Sequence, residues 1–255
     1  MPYRKIFFSK DQPVHIASRA LANIFQNKED CYRFIFLFYA VNLGRKDSNI
    51  KFMDTIKAGQ SLLRGETIPD RFIIQRHPPL VHLLDFSLVI NHYHFYLLPT
   101  SETAIPVLMH RLNDSFARYF NLLHNRKDAL FGSRYKSVPV ETDFQSHAVS
   151  RYVSIINPLD VFQYGWRENG LKNQNDAFGF LKKFEFSSFP DKIGDRVSKL
   201  LAPHNVLDQY APFWNNPKEY HEFVTEFLRE KSSRLTLNFA KTISGCPTSR
   251  GCRTS

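Results

Sequence analysis

The sequence predicts an α+β sandwich, an antiparallel sheet with helices packed on one face. Three observations predict it. Strand-like and helix-like stretches alternate through the first 158 residues. Phe86–Pro99, FSLVINHYHFYLLP, reads as a central strand of β-branched and aromatic residues. Ala104–His124 carries Ile105, Leu108, Leu112, Phe116, Tyr119, Phe120 and Leu123 at helical spacing, which makes an amphipathic helix to cover that strand.

Taken in order, residues 1–13 form a basic, irregular lead-in. Val14–Ser18 is a short strand, followed by Arg19. Asn27 is placed to cap a helix with Glu29 and Asp30 in its first turn. That helix runs to about Leu43, stops at Gly44, and turns Phe34, Leu37, Phe38 and Val41 to one side. Asn49–Leu63 is a second amphipathic stretch, broken by Gly65 and Pro69, and Phe72–Ile74 adds a short strand. His77 and His82 read as ordinary surface or packing histidines. After the long helix, Tyr135–Val140 suits a strand at a sheet edge, because Pro139 donates no ladder hydrogen bond. A short helix starts at Thr142 or Asp143, carries Tyr152 and ends before Pro158. Asn175–Lys183 and Pro217–Lys231 are further helices, with a loop-like aromatic segment between them. The chain divides into a core over 1–158, a helical extension packed on it over 159–231, and a flexible tail over 232–255.

The formal net charge is +10, which fits a polyanionic partner. Cys31, Cys246 and Cys252 are an odd, scattered set that makes no disulfide framework. The opening residues hold no apolar run of signal-peptide length. Phe34–Val41 is too short to span a bilayer. These features predict a reducing, cytoplasmic setting with no membrane partner.

Three groups of residues carry chemistry. His92 and His94 stand two apart in a strand, so both project from one face, roughly 7 Å apart at their bases. Tyr93 and Phe95 then point into the core. Two imidazoles so placed suit a divalent metal, and open positions beside them suit catalysis. Tyr152 lies on the later helix. A phenol is a poor nucleophile until a metal polarises the bond it attacks and cations stabilise the phenolate. Between them runs a basic and aromatic segment with Arg118, Arg126, Lys127, Arg134 and Lys136 among Tyr119, Phe120, Phe131 and Tyr135. Such a mixture neutralises phosphates and stacks on unpaired bases.

Five blocks together resemble the REP-associated tyrosine transposases, the single-tyrosine members of the HUH nucleases. They are MPYRKIFF…VHIASRA…NKEDCYRF, NHYHFYLLP, LNDSFARYFNLLHNRKDALFGSRYKSVPVE, SRYVSIINP and KKFEFSSFPDKIGD, over about residues 1–230. The resemblance implies a ferredoxin-like sandwich, with residues 1–158 as an HUH-type core. It implies Mg²⁺ or Mn²⁺, and cleavage and rejoining of hairpin-bearing single-stranded DNA through a 5′-phosphotyrosine. His92 and His94 match the metal pair and Tyr152 the nucleophile. The third ligand is open among Asn157, His147, Gln145 and water, and Asn157 is carried forward with the histidines. Assembly is as monomer or homodimer. One departure stands out. The family places its tyrosine four residues before the asparagine of Asn-Pro, whereas Tyr152 is five before Asn157. Either one residue is absorbed near Ile155–Ile156, or Val153 occupies the nucleophile's place. The second case corresponds to a domesticated nucleic-acid-binding protein without cleavage. The pattern around Ser150–Val153 favours the first.

Overall fold

Four strands form one antiparallel sheet in the computed structural model, which describes residues 8–43, 52–72, 78–211 and 216–229. The strands are β1 (Val14–Arg19), β2 (Val81–Val89), β3 (His92–Pro99) and β4 (Lys136–Pro139). Their spatial order is β2-β3-β1-β4. The helices are α1 (Lys28–Asn42), α2 (Phe52–Leu63), α3 (Ala104–Leu123), α4 (Asp143–Arg151), α5 (Asn157–Phe162), α6 (Trp166–Asn169), α7 (Gln174–Lys183), α8 (Phe189–Lys192), α9 (His204–Tyr210) and α10 (Pro217–Arg229). The core order, with α1 between β1 and β2, a β2–β3 hairpin and α3 before β4, is ferredoxin-like. The α+β class is as the sequence predicts. The expected tail, residues 73–77, Gly44, Cys246 and Cys252 lie outside the described residues.

One face of the sheet buries Tyr93, Phe95 and Leu97 of β3 against Phe34 and Phe38 of α1 and Phe116 of α3. Phe34 is the hub, with ring centroids 4.7 Å from Tyr93 and 5.1 Å from Phe116. Aromatic pairs at such separations add to the burial of their area. Asn27 caps α1 by accepting from the Asp30 N–H. Gly59 allows α2 to close on α1, since a Cβ there would sit 2.1 Å from the Tyr32 carbonyl oxygen.

The other face is covered as well. Leu84, Tyr96 and Leu98 pack under Val149 and Val153 of the tyrosine helix and under Ala202, Leu207 and Ala211. The segment expected as a loop after α7 runs along the outer edge of β2. Leu88 N–H donates to the Phe186 carbonyl and Ser188 N–H to that of Phe86. The Leu88 amide and the Phe86 carbonyl on this edge are thereby paired, which blunts an aggregation-prone template.

Two expectations are corrected. Phe86–Pro99 is the hairpin β2–β3, turned at Ile90–Asn91, and not one strand. Ile90 takes a left-handed conformation (φ 33) that β-branched residues rarely adopt. Tertiary hydrogen bonds hold it there: Phe25 N–H donates to the Ile90 carbonyl, and Ala20 N–H to that of Asn91. The helix carrying Tyr152 also does not stop before Pro158. It passes through a π turn, Tyr152–Ile156, and continues as α5. Pro158 falls in the first turn of α5, where a missing N–H is tolerated.

Candidate active site

Strand register determines which side chains share the histidine face. Across the sheet, Lys136 pairs with Ala17, Ala17 with His94, and His94 with Ser87. The next row is Val138, His15, Tyr96 and Asp85. Arg19 pairs with His92. Paired residues project from the same face, so His15, His92, His94, Arg19 and Lys136 all look the same way. His94 and His15 are buried, whereas Arg19 and Lys136 are exposed and Ala17 and His92 half-buried. The face is therefore closed over His94 and open toward Arg19, Ala17 and Lys136.

The hydrogen bonds to the imidazoles use Nδ1 in both metal candidates. His92 Nδ1 lies 2.9 Å from Asn91 Oδ1, and His94 Nδ1 lies 3.1 Å from His15 Nε2. An amide oxygen only accepts, so His92 carries its proton on Nδ1 and leaves Nε2 as a lone pair. The His92 and His94 rings are 5.1 Å apart and nearly perpendicular. Burial keeps all three histidines neutral. It pushes His15 down to about 4 and His92 down to about 3, the latter helped by Arg19 and Arg167, and it pulls His94 well below the usual range.

Tyr152 meets this face. Its ring lies edge-on to His94 with centroids 5.3 Å apart, and edge-on to His15 at 5.8 Å. Val153 is buried instead beside Tyr96 and Leu84. The extra residue between Tyr152 and Asn157 is absorbed by the π turn, in which the Asn157 N–H donates to the Tyr152 carbonyl. That i to i+5 bond sets Asn157 one turn from Tyr152 on the same side, as a four-residue spacing does in an α-helix. Asn157 is 1% exposed, yet among the described residues neither its Oδ1 nor its Nδ2 has a hydrogen-bond partner. Unpartnered buried amides are uncommon and call for an explanation. Ser87 Oγ is likewise buried and unpartnered on the same sheet face.

Among the described residues, no group of three or more His, Cys, Asp or Glu side chains is placed to hold a metal. A metal held by His92 and His94 would therefore need a neutral donor beside the two imidazoles. The orphaned Asn157 amide fits that need. Gln145 is committed elsewhere: its side chain accepts from the Glu141 N–H while Thr142 caps α4.

The extension supplies further parts of this face. The Arg167 guanidinium lies 5.6 Å from the centroid of the Tyr152 ring. Asp160 holds that guanidinium in a two-pronged ion pair and accepts from Trp166 Nε1 at 2.9 Å. Behind the tyrosine helix, Lys192 bonds Asp85 of β2, Ser150 of α4 and Ser154 of the π turn. Asp85 also accepts from Ser150 and Ser188. Asp85 and Lys192 are both fully buried. His15, Arg19, Arg167 and the Asp85–Lys192 pair were not identified from the sequence. His15 and Arg19 fall on one face by simple alternation, but nothing local reveals that their strand lies beside His92 and His94.

The basic residues divide. Lys136 is on the histidine face. Arg126, Lys127 and Arg134 lie in the loop before β4, which is tied to the end of β1 where the Leu21 N–H donates to the Leu130 carbonyl. Arg118 is on α3, which packs on the opposite face of the sheet, and it pairs with Asp114 at 2.9 Å.

No protein-family model matches the chain, and no curated protein matches it. Among solved structures, a REP-associated tyrosine transposase bound to a REP hairpin is similar at a TM-score of 0.43 and 12% identity, over 80% of this chain and 92% of that one. No described helix is long and apolar enough to cross a membrane.

Proposed function

We propose that the chain is a tyrosine nuclease of the transposase type, which cleaves and rejoins single-stranded, hairpin-bearing DNA. The observation that carries the proposal is the π turn. It sets Tyr152 against His94 and leaves the buried amide of Asn157 unpartnered on the same side. A divalent ion held by His92 Nε2, His94 Nε2 and Asn157 Oδ1 would supply Lewis-acid polarisation of the scissile phosphate. Tyr152 Oη attacks phosphorus. An Oη–P bond forms, the bond from phosphorus to the 3′ oxygen breaks, the phenol proton passes to solvent, and the departing 3′ oxygen takes one up. Arg167, whose guanidinium lies over the Tyr152 ring, stabilises the phenolate as it develops. The phosphotyrosine conserves the energy of the broken bond, so the 3′-hydroxyl reverses the step without another source. Lys136, Arg134, Arg126 and Lys127 hold the DNA backbone near the site, and Arg118 binds farther away. The net charge of +10 supports such a partner.

The test is incubation of the full chain with Mn²⁺ and a labelled single-stranded hairpin. A denaturation-resistant adduct is expected in the wild type, absent in Tyr152→Phe and strongly reduced in His92→Ala. An undiminished adduct in Tyr152→Phe would refute the assignment. Salt-sensitive hairpin binding with no adduct under any metal would select the non-catalytic binding protein instead.

A further inference from the structure

We propose that His15 is a positioning residue that sets the tautomer of His94 and thereby makes His94 Nε2 available to a metal. The inference rests on the metal-site reading above. His15 is 1% exposed, and its Nε2 lies 3.1 Å from His94 Nδ1. The two rings are nearly parallel, with an angle of 6° between their planes. A neutral imidazole carries one N–H, so one ring of the pair donates and the other accepts.

The two assignments have opposite consequences. If His15 Nε2 donates, the proton of His94 resides on Nε2, and His94 has no lone pair left for a metal. If His94 Nδ1–H donates, His15 Nε2 accepts, and His94 Nε2 is left as a ligand. His92 already has its Nδ1 bonded to Asn91 Oδ1. Only the second assignment gives both histidines the same presentation, with Nδ1 hydrogen-bonded and Nε2 left as a lone pair. Partners of this kind orient ligating imidazoles and raise their basicity. His15 comes from β1 and His94 from β3, and the ladder that pairs His15 with Tyr96 and Ala17 with His94 holds the two rings in contact. Packing beside Tyr152, 5.8 Å away, fixes the His15 ring from a second side.

The test measures metal binding by the full chain without DNA. Mn²⁺ affinity is read by electron paramagnetic resonance in wild type, His92→Ala, His15→Leu and His15→Gln, with melting temperatures of the metal-free proteins as controls. His15→Leu is expected to lose 10–100-fold in affinity, as outer-shell substitutions do. His15→Gln, whose amide oxygen also accepts, recovers most of it. Equal affinity in wild type and a folded His15→Leu would overturn the inference and leave the metal site standing. Equal affinity in wild type and His92→Ala would overturn both. A second measurement needs no substitution. Ring ¹⁵N shifts of the Mg²⁺-loaded wild type are expected to show His94 protonated on Nδ1, and protonation on Nε2 would overturn the role of His15 even if His15→Leu does not fold.

Discussion

Replacing Lys192 by methionine removes the cation from a buried pair and keeps most of the side-chain volume. Lys192 donates to Asp85, Ser150 and Ser154, and both Lys192 and Asp85 are fully buried. Breaking such a pair from one side costs about 3–5 kcal/mol, because the remaining charge keeps its desolvation penalty. Against a typical total of about 5–15 kcal/mol, that is a large fraction. Removing both charges, as in Asp85→Leu/Lys192→Met, is expected to be near neutral or stabilising by about 1–4 kcal/mol. Ser188 retains an alternative bond to the Phe86 carbonyl, and Ser154 one to the Ser150 carbonyl. The single variant also acquires a pH signature. Burial raises the Asp85 carboxyl, while Lys192, Ser188 and Ser150 pull it back. Without Lys192 the folded state binds a proton that the unfolded state releases, so its extra stability is present at low pH and lost as pH rises. Urea unfolding of both variants from pH 5 to pH 8 measures this, with m unchanged if the folds are intact. A Lys192→Met loss below about 1 kcal/mol, far under the expected range, or a loss independent of pH, would refute the reasoning.

Asn157→Leu is expected to stabilise the metal-free protein by about 1–2 kcal/mol, since it removes buried polar atoms without partners, while Mn²⁺ affinity falls at least several-fold; a destabilised variant with intact metal binding would contradict both halves. Acid sensitivity follows from His15. Its folded pKa near 4 lies below the ordinary 6.5, so the unfolded chain binds more protons between those values, and stability is full above 6.5 and lost as pH falls toward 4. That difference, at about 1.4 kcal/mol per pH unit, is roughly 3 kcal/mol for His15 alone, and a melting temperature unchanged between pH 7 and pH 5 would exclude it.

What the sequence revealed was what neighbours in the chain decide. The Asn27 cap and the apolar stripe of α3 are local patterns; the cap is present as read, and the stripe is buried at Ile105, Leu108, Leu112, Phe116 and Phe120 while Leu123, at the helix end, is exposed. Edge placement of the strand holding Pro139 follows from one missing donor. Ile90–Asn91 gave no such sign. No glycine or proline marks the turn, and the positive φ of Ile90 is maintained by amides of Ala20 and Phe25, some seventy residues earlier. His15 was visible as a strand residue, but its contact with His94 depends on which strands pair. Arg167 and Lys192 reach the tyrosine helix from the extension, and no periodicity near Tyr152 announces them.

The five-residue gap between Tyr152 and Asn157 lies between these cases, because the sequence showed the anomaly without its resolution. In a straight α-helix one added residue turns Asn157 by about 100° from the side that four-residue spacing gives it. The π turn takes up that residue and also accommodates Pro158. In an α-helix the proline ring would press on the carbonyl four residues back, that of Ser154, but here the chain is already widened over Tyr152–Ile156. Ser154 is in turn held by Lys192 and Tyr220. The π turn, the proline and the buried lysine therefore form one device, in which the distortion that sets Asn157 one turn from Tyr152 is fixed in place from the extension.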